Sequence, residues 1–223
     1  MKAEDLIELI RTELGDKEEP FLWETKELIH YLNHAVQEAC ERALLIEDRS
    51  TARVCRFKTA PGIDTYELHA SLIKIKRITV AGKLLHETSV EEMDAASGNW
   101  EQQFGQPHSF IFEGSQGGMK PKVRLIPRPT AEADVQMTVY RGAIAHITER
   151  TLCDEPEVPW SMRDALKYWV LRCAYMKVDT DAQNPVKAAE YEGLFTAVFG
   201  SKPDANTARK RRDRKPPIVQ CAW

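Results

Sequence analysis

Long apolar runs are missing from this chain of 223 residues, and no segment approaches the roughly 20 apolar residues that a membrane-spanning helix needs. Cysteine is sparse. Cys40, Cys55, Cys153, Cys173 and Cys221 make an odd set without any C-x-x-C pair or His/Cys ligand spacing, which excludes a disulfide framework and a zinc site of ordinary spacing. Free thiols in a reducing compartment are the expectation. Glycine does not build a phosphate cradle either: Gly114-Ser115-Gln116-Gly117-Gly118 lacks the following Lys-Ser/Thr and reads as a hairpin loop. Neither a G-x-S-x-G elbow nor the set of kinase motifs occurs. His30 and His34 stand four apart on a helical stretch, as metal ligands can, but no Glu of the zincin arrangement lies between them and no third ligand is near. A packed or solvated face is the reading for that pair. The expectation is therefore no catalytic residue, no metal and no cofactor.

Met1-Lys2-Ala3-Glu4-Asp5 opens an acidic amphipathic segment rather than a cleavable leader, and Cys221 stands third from the end, whereas prenylation needs it fourth. A soluble protein is expected. What the chain does have is charge, unevenly placed. The net charge is −3, yet Arg209-Lys210-Arg211-Arg212-Asp213-Arg214-Lys215 contributes +5, leaving −8 for everything else. Residues 1–50 hold thirteen Asp and Glu against six Lys and Arg. An acidic body argues against a duplex-binding face, and the basic run is the one concentrated cationic feature.

The C-terminal residues 201–223 read as an extended tail. Ser201 to Ala208 is polar with no apolar period, the like-charged block repels itself, and Pro216-Pro217-Ile218-Val219-Gln220-Cys221-Ala222-Trp223 closes with an apolar tip. Ile218, Val219 and Trp223 favour burial, so another molecule is expected to cover them.

Periodicity divides the remainder. Leu6, Leu9, Ile10 and Leu14 repeat at helical spacing up to Gly15; Leu28, Leu32, Ala35, Val36, Ala39 and Ala43 form a second, longer face with Thr25 as N-cap. From residue 51 the period becomes two. Val54, Phe57, Tyr66 and Leu68 suggest two short strands; Leu72–Val80, Ser109–Glu113, Lys122–Ile126 and Val135–Tyr140 suggest longer ones, with a short helix capped by Ser89 between them. Helical signals return at Pro159 with Leu166, Trp169, Val170, Cys173 and Ala174. Asn184-Pro185 opens a last helix whose inward residues are read as Ala188, Tyr191, Leu194, Phe195, Val198 and Phe199, ending at Gly200. The expected fold is α+β: helical hairpins at 1–50 and 149–200 forming one four-helix bundle, a mainly β domain inserted at 51–148, and the tail at 201–223. Trp23, Trp160 and Trp169 sit at helix starts or on apolar faces and read as core. Trp100, in the polar stretch Gly98-Asn99-Trp100-Glu101-Gln102, reads as exposed and as the aromatic contact candidate.

Four motifs in order carry a family resemblance. Leu22-Trp23 is followed by Glu27-Leu28, Tyr31-Leu32-Asn33 and Ala35; Phe104-Gly105-Gln106-Pro107 leads into a strand; Val123-Arg124-Leu125-Ile126-Pro127-Arg128-Pro129 precedes Val135-Gln136-Met137-Thr138-Val139-Tyr140; Val158-Pro159 precedes Ala188-Ala189-Glu190-Tyr191 and Phe195. The chain resembles the head-to-tail adaptor (connector) proteins of tailed bacteriophages, over most of residues 5–200. The resemblance implies a structural, non-enzymatic role in the virion neck, with synthesis in the host cytoplasm. It implies a ring of about twelve copies under the portal protein, extending the DNA channel and giving tail and nozzle proteins a platform, while genomic DNA passes without sequence-specific binding. Arg209, Lys210, Arg211, Arg212, Arg214, Lys215, Ile218, Val219 and Trp223 would dock on the portal, and Trp100 would meet a tail component. Two rival readings stand beside it: a nucleic-acid binder using the basic arm, whose binding would be strongly salt-dependent, and a neighbouring stopper or nozzle protein of the same neck.

Overall fold

The structure is a computed structural model that describes residues 1–114, 120–177 and 183–202. In chain order the elements are α1 (Ala3–Leu14), α2 (Thr25–Ala43), β1 (Ile46–Asp48), the single turn α3 (Ala52–Cys55), β2 (Arg56–Lys58), β3 (Thr65–Glu67), β4 (Leu72–Val80), β5 (Lys83–Leu84), β6 (His86–Glu87) and α4 (Val90–Ala96). Then follow β7 (Phe104–Gly105), β8 (Ser109–Glu113), β9 (Lys122–Ile126), β10 (Arg128–Pro129), β11 (Asp134–Arg141), α5 (Leu166–Tyr175) and α6 (Pro185–Phe199). The class is α+β. The described chain divides into a helical unit, Met1–Ile46 with Arg141–Lys202, and a β unit from Glu47 to Tyr140.

Within the helical unit α5 is the hub and packs against α1, α2 and α6. Its Leu166, Trp169, Val170, Leu171 and Ala174 are buried, as are Leu6, Ile7 and Ile10 of α1 and Leu28, Leu32, Ala35, Val36 and Ala39 of α2. Each large side chain so covered contributes roughly 1.5–3 kcal/mol, which is what holds helices of this length together. α1 stops at Gly15, whose φ of +74° is the left-handed conformation that costs a residue with a Cβ. The turn behind it is organised by buried Asp16, which accepts hydrogen bonds from the N–H groups of Leu22 and Trp23 and from the Arg11 guanidinium.

Three local expectations are corrected here. Thr25 is the first residue of α2 and not its cap; Glu24 holds the cap position, while the Thr25 hydroxyl accepts from Arg11 at 3.1 Å. Pro159 opens only a one-turn 3-10 segment, Trp160–Met162, and α5 starts at Leu166. Val54 lies in the turn α3 rather than in a strand, because the N–H groups of Val54 and Cys55 both return to the Thr51 carbonyl.

In the β unit one sheet runs β1-β11-β4-β5 with β2 also on β11, a second runs β3-β9-β8-β6, and β7 pairs with β10 in parallel. The β8–β9 hairpin is antiparallel with Ser109 opposite Ile126 and Glu113 opposite Lys122. Its alternation buries Phe110 with Leu125 and Val123, and period two is what places them on one face. Gly105 admits the β7–β10 pairing: a Cβ there would meet the Pro127 ring at 3.1 Å. Ser89 caps α4 by accepting from the Glu92 N–H, as expected, but the Glu92 carboxylate takes the Thr88 hydroxyl instead of closing a capping box.

Candidate functional site

Where the tail leaves the helical unit, the chain assembles a cluster of ionic and aromatic groups. Glu38 and Arg42 are one helical turn apart near the end of α2, and both side chains are only 3% exposed. One Glu38 oxygen pairs with the Arg42 guanidinium at 2.9 Å, and the other faces the Lys202 ammonium at 3.3 Å. Arg42 then reaches across to α6, donating to the Thr196 hydroxyl at 3.1 Å and to the Gly200 carbonyl at 3.3 Å. Its guanidinium also lies over the rings of Trp169 and Phe195, about 5 Å from each centroid. A planar, always-charged fork with five donors suits this task, since it satisfies a carboxylate, a hydroxyl and a helix-end carbonyl at once. The chemical product is a fixed exit: α6 ends at Gly200, with φ of +85°, and Lys202 is held two residues later.

The motif residues around this unit have structural work. Asn33 pairs with the backbone of Ile147 in both directions, at 2.8 Å each way, and so ties α2 to the segment after β11. Tyr31 donates to Glu27, which also binds Lys177; burial and that carboxylate both push the Tyr31 phenol up. Burial pushes the Cys40 thiol up to about 11 and raises Cys173 too, so neither is a thiolate at neutral pH. His34 is not paired with His30 for a metal but stands edge-on to Trp169, whose indole N–H points at its Nδ1 at 3.3 Å.

Two tryptophans exchange the roles expected of them. Trp100 is only 4% exposed, packs with Ile111, Ile126 and Met93, and donates to Asp94 at 2.8 Å. A 3-10 turn over Trp100–Gln102 rolls the indole inward, so the polar stretch covers it instead of displaying it. Trp160, expected in the core, is 79% exposed, because the helix expected to bury it begins six residues later. The tail positions Arg209, Lys210, Arg211, Arg212, Arg214, Lys215, Ile218, Val219 and Trp223 lie outside the described residues. What sequence reasoning missed is the Glu38–Arg42–Lys202 cluster. Its signal was an i, i+4 carboxylate–guanidinium pair set among Ala39, Cys40 and Ala43 on an otherwise apolar side of α2.

Both units and most of the tail fall within one family: residues 1–219 match the model of the SU10 adaptor protein family. The chain belongs to that family, and with it to the head-to-tail adaptors of bacteriophages. A comparison with curated proteins gives no match. Among the described residues no helix is long and apolar enough to cross a membrane.

Proposed function

We propose that this adaptor forms a ring of about twelve copies beneath the portal protein in the virion neck. The ring extends the DNA channel and offers tail and nozzle proteins an attachment platform, with α1, α2, α5 and α6 acting as one four-helix bundle at its base. DNA passes through the lumen without sequence-specific contacts, and the chain acts structurally, not as an enzyme. The observation that carries this reading is family membership across residues 1–219, which includes the start of the apolar tip.

In this reading the tail docks on the portal. The twenty residues from Asp204 span at most about 65 Å when extended, ample to reach a neighbouring ring. The cations of 209–215 meet acidic portal surface, and Ile218, Val219 and Trp223 fill apolar pockets, where tryptophan is a favoured anchor. A tail that orders on binding loses affinity to entropy, but several tails on one ring act together. The Glu38–Arg42–Lys202 clamp supports this by giving every tail the same point of departure. Trp100 enters the proposed contact with tail components only indirectly, as the buried support of the surface around it.

The test is co-sedimentation with portal alongside a DNA mobility shift. Deleting Ile218–Trp223 keeps all six cations and is expected to abolish portal capture, each lost anchor being worth roughly 1.5–3 kcal/mol when buried. Capture that survives this deletion, together with DNA binding lost on neutralising Arg209–Lys215, would overturn docking and make the tail a nucleic-acid arm.

A further inference from the structure

The basic run at 209–215 is the cationic cluster that the sequence displays, and the fold makes a second one. Between Glu47 and Tyr140 the twelve lysines and arginines and the twelve carboxylates are not evenly mixed. The segments that build the β1-β11-β4-β5 sheet and β2, residues 47–58, 72–84 and 132–140, hold eight of these cations and four of the carboxylates. The rest of the unit holds the reverse. Of the four carboxylates, Asp48 is buried.

β11 lies between β2 and β4 and buries Val135, Met137 and Val139, so Asp134, Gln136, Thr138 and Tyr140 stand on the other, open face. β2 sets Arg56 opposite Gln136 and Lys58 opposite Asp134, on that same face. On the other flank β4 buries Ile75, Ile78 and Val80 and exposes Lys74, Lys76 and Arg77. The Thr79 hydroxyl donates to the Gln136 carbonyl at 3.3 Å, and the Lys76 ammonium stands 5.7 Å from the centre of the Tyr140 ring. β5 reaches only Thr79 and Val80, so among the described residues 72–77 also present a bare edge. Lys58 and Lys76 have exposed carboxylate partners in Glu132 and Glu47. Arg56, Lys74 and Arg77 have none among the described residues, nor do Arg49 and Arg53 just before β2.

Charge on an edge strand deters pairing with other strands, but either sign does that, and it does not call for cations gathered together and left unpaired. Their surroundings select the occupant. A protein partner calls for an apolar centre, from which lysine is depleted. Leu84, at the β5 edge, is the one large exposed apolar side chain among the described residues of this sheet. Phosphate oxygens are bound by arginine and lysine with hydroxyl and amide donors beside them, and Thr138, Tyr140 and Gln136 supply those donors here. Protein–DNA interfaces are likewise polar and strongly positive. We infer that the open face of this sheet, around Arg56, Lys74 and Arg77, binds the phosphate backbone of duplex DNA without reading its sequence. This deepens the role proposed above, and rests on it for the DNA that the channel carries; the test needs neither ring nor portal.

The measurement is fluorescence anisotropy of a labelled duplex of mixed sequence across a salt series. The full chain carries Arg209→Gln, Lys210→Gln, Arg211→Gln, Arg212→Gln, Arg214→Gln and Lys215→Gln, so that the tail cations contribute nothing. This tail-neutral chain should still bind, with log K falling against log salt at a slope of about −3, roughly 0.9 for each phosphate met by the three unpaired cations. Adding Arg56→Gln and Arg77→Gln should weaken binding at least about tenfold at low salt and bring the slope toward about −1. Adding Lys120→Gln and Lys122→Gln instead removes the same charge from the other sheet and should change affinity less than about twofold. Melting temperatures should stay in place, since these are surface changes. A tail-neutral chain without salt-dependent duplex binding overturns the inference. Equal losses in the two double variants do so too, because net charge alone would then govern binding. If Arg56→Gln and Arg77→Gln leave DNA binding intact but abolish capture by portal or by another copy, the face meets protein and the inference fails. If wild type fails to bind portal while the DNA pattern holds, the portal reading fails and this face stands.

Discussion

In the helical unit carboxylates outnumber lysines and arginines by eighteen to thirteen among the described residues, whereas the β unit carries twelve of each. The most deeply buried ion pairs among the described residues lie in the helical unit, although open pairs such as Lys2–Glu4 occur there too. Glu38–Arg42 and Arg11–Asp16 in the helical unit are buried, while Lys58–Glu132, Lys76–Glu47 and Lys120–Glu67 in the β unit lie open to solvent. Buried pairs are costly to form and costly to break, and what they contribute is a single permitted geometry. Exposed pairs are screened and contribute little. The helical unit thus uses buried ion pairs to fix positions, at the turn after α1 and at the exit of the tail, whereas the β unit fixes the turn before α3 with the single buried carboxylate of Asp48.

The sharpest way to break that contrast is Arg42→Ala. It leaves the buried Glu38 with Lys202 as its cation and removes the links to Thr196 and Gly200, so a loss of about 3–5 kcal/mol is expected in denaturant unfolding. A loss under about 1 kcal/mol would mean that Lys202 alone suffices for Glu38, and that Arg42 fixes nothing. Next come the two tryptophans. Trp100→Ala should cost about 3–5 kcal/mol by emptying the space against Ile111 and Ile126, and Trp160→Ala should stay within about 0.5 kcal/mol. Equal effects would restore the roles first expected of them.

Acid gives a further test of the helical unit. Burial alone would raise the Glu157 carboxyl, but the Arg141 guanidinium and the Ile144 N–H hydrogen-bond the charged form and hold it below the usual carboxylate range. A depressed folded pKa gives stability that is complete above the unfolded value of about 4.3 and is lost as pH falls through the folded one. Glu157→Gln should therefore flatten the fall in melting temperature below about pH 4.3, and an unchanged slope would remove Glu157 from the account. The smallest effect is expected at Lys58→Ala, where losing the solvent-screened pair with Glu132 should leave the denaturant midpoint unchanged.

Much of the local structure was legible in the sequence. β8 and β9 occupy the ranges read from their alternation, Gly15 and Gly200 end their helices, and Asn184 caps α6 by accepting from the Lys187 N–H, with Pro185 at the first turn. These features depend on neighbours a few residues away, and local backbone chemistry is what sequence carries. α3 reads as strand in the sequence because Val54 is β-branched and the aromatic Phe57 of β2 follows it, and four residues are too few to show a helical period.

What only the tertiary structure decided is which of two plausible surfaces a side chain meets. By itself the sequence determined that α6 is a capped, strongly apolar helix. It did not determine that Leu194 and Val198 point outward, because that depends on α5 covering the side that holds Ala188, Phe195 and Phe199. It placed an indole at residue 100 and at residue 160, but burial of the first required Ile111 and Ile126 from strands beyond it, and exposure of the second followed from α5 starting late. Likewise Glu38 and Arg42 are a helical pair in sequence and a tail clamp only once Thr196, Gly200 and Lys202 arrive from more than 150 residues away. Periodicity fixes which residues share a face, and long-range packing fixes which face is covered.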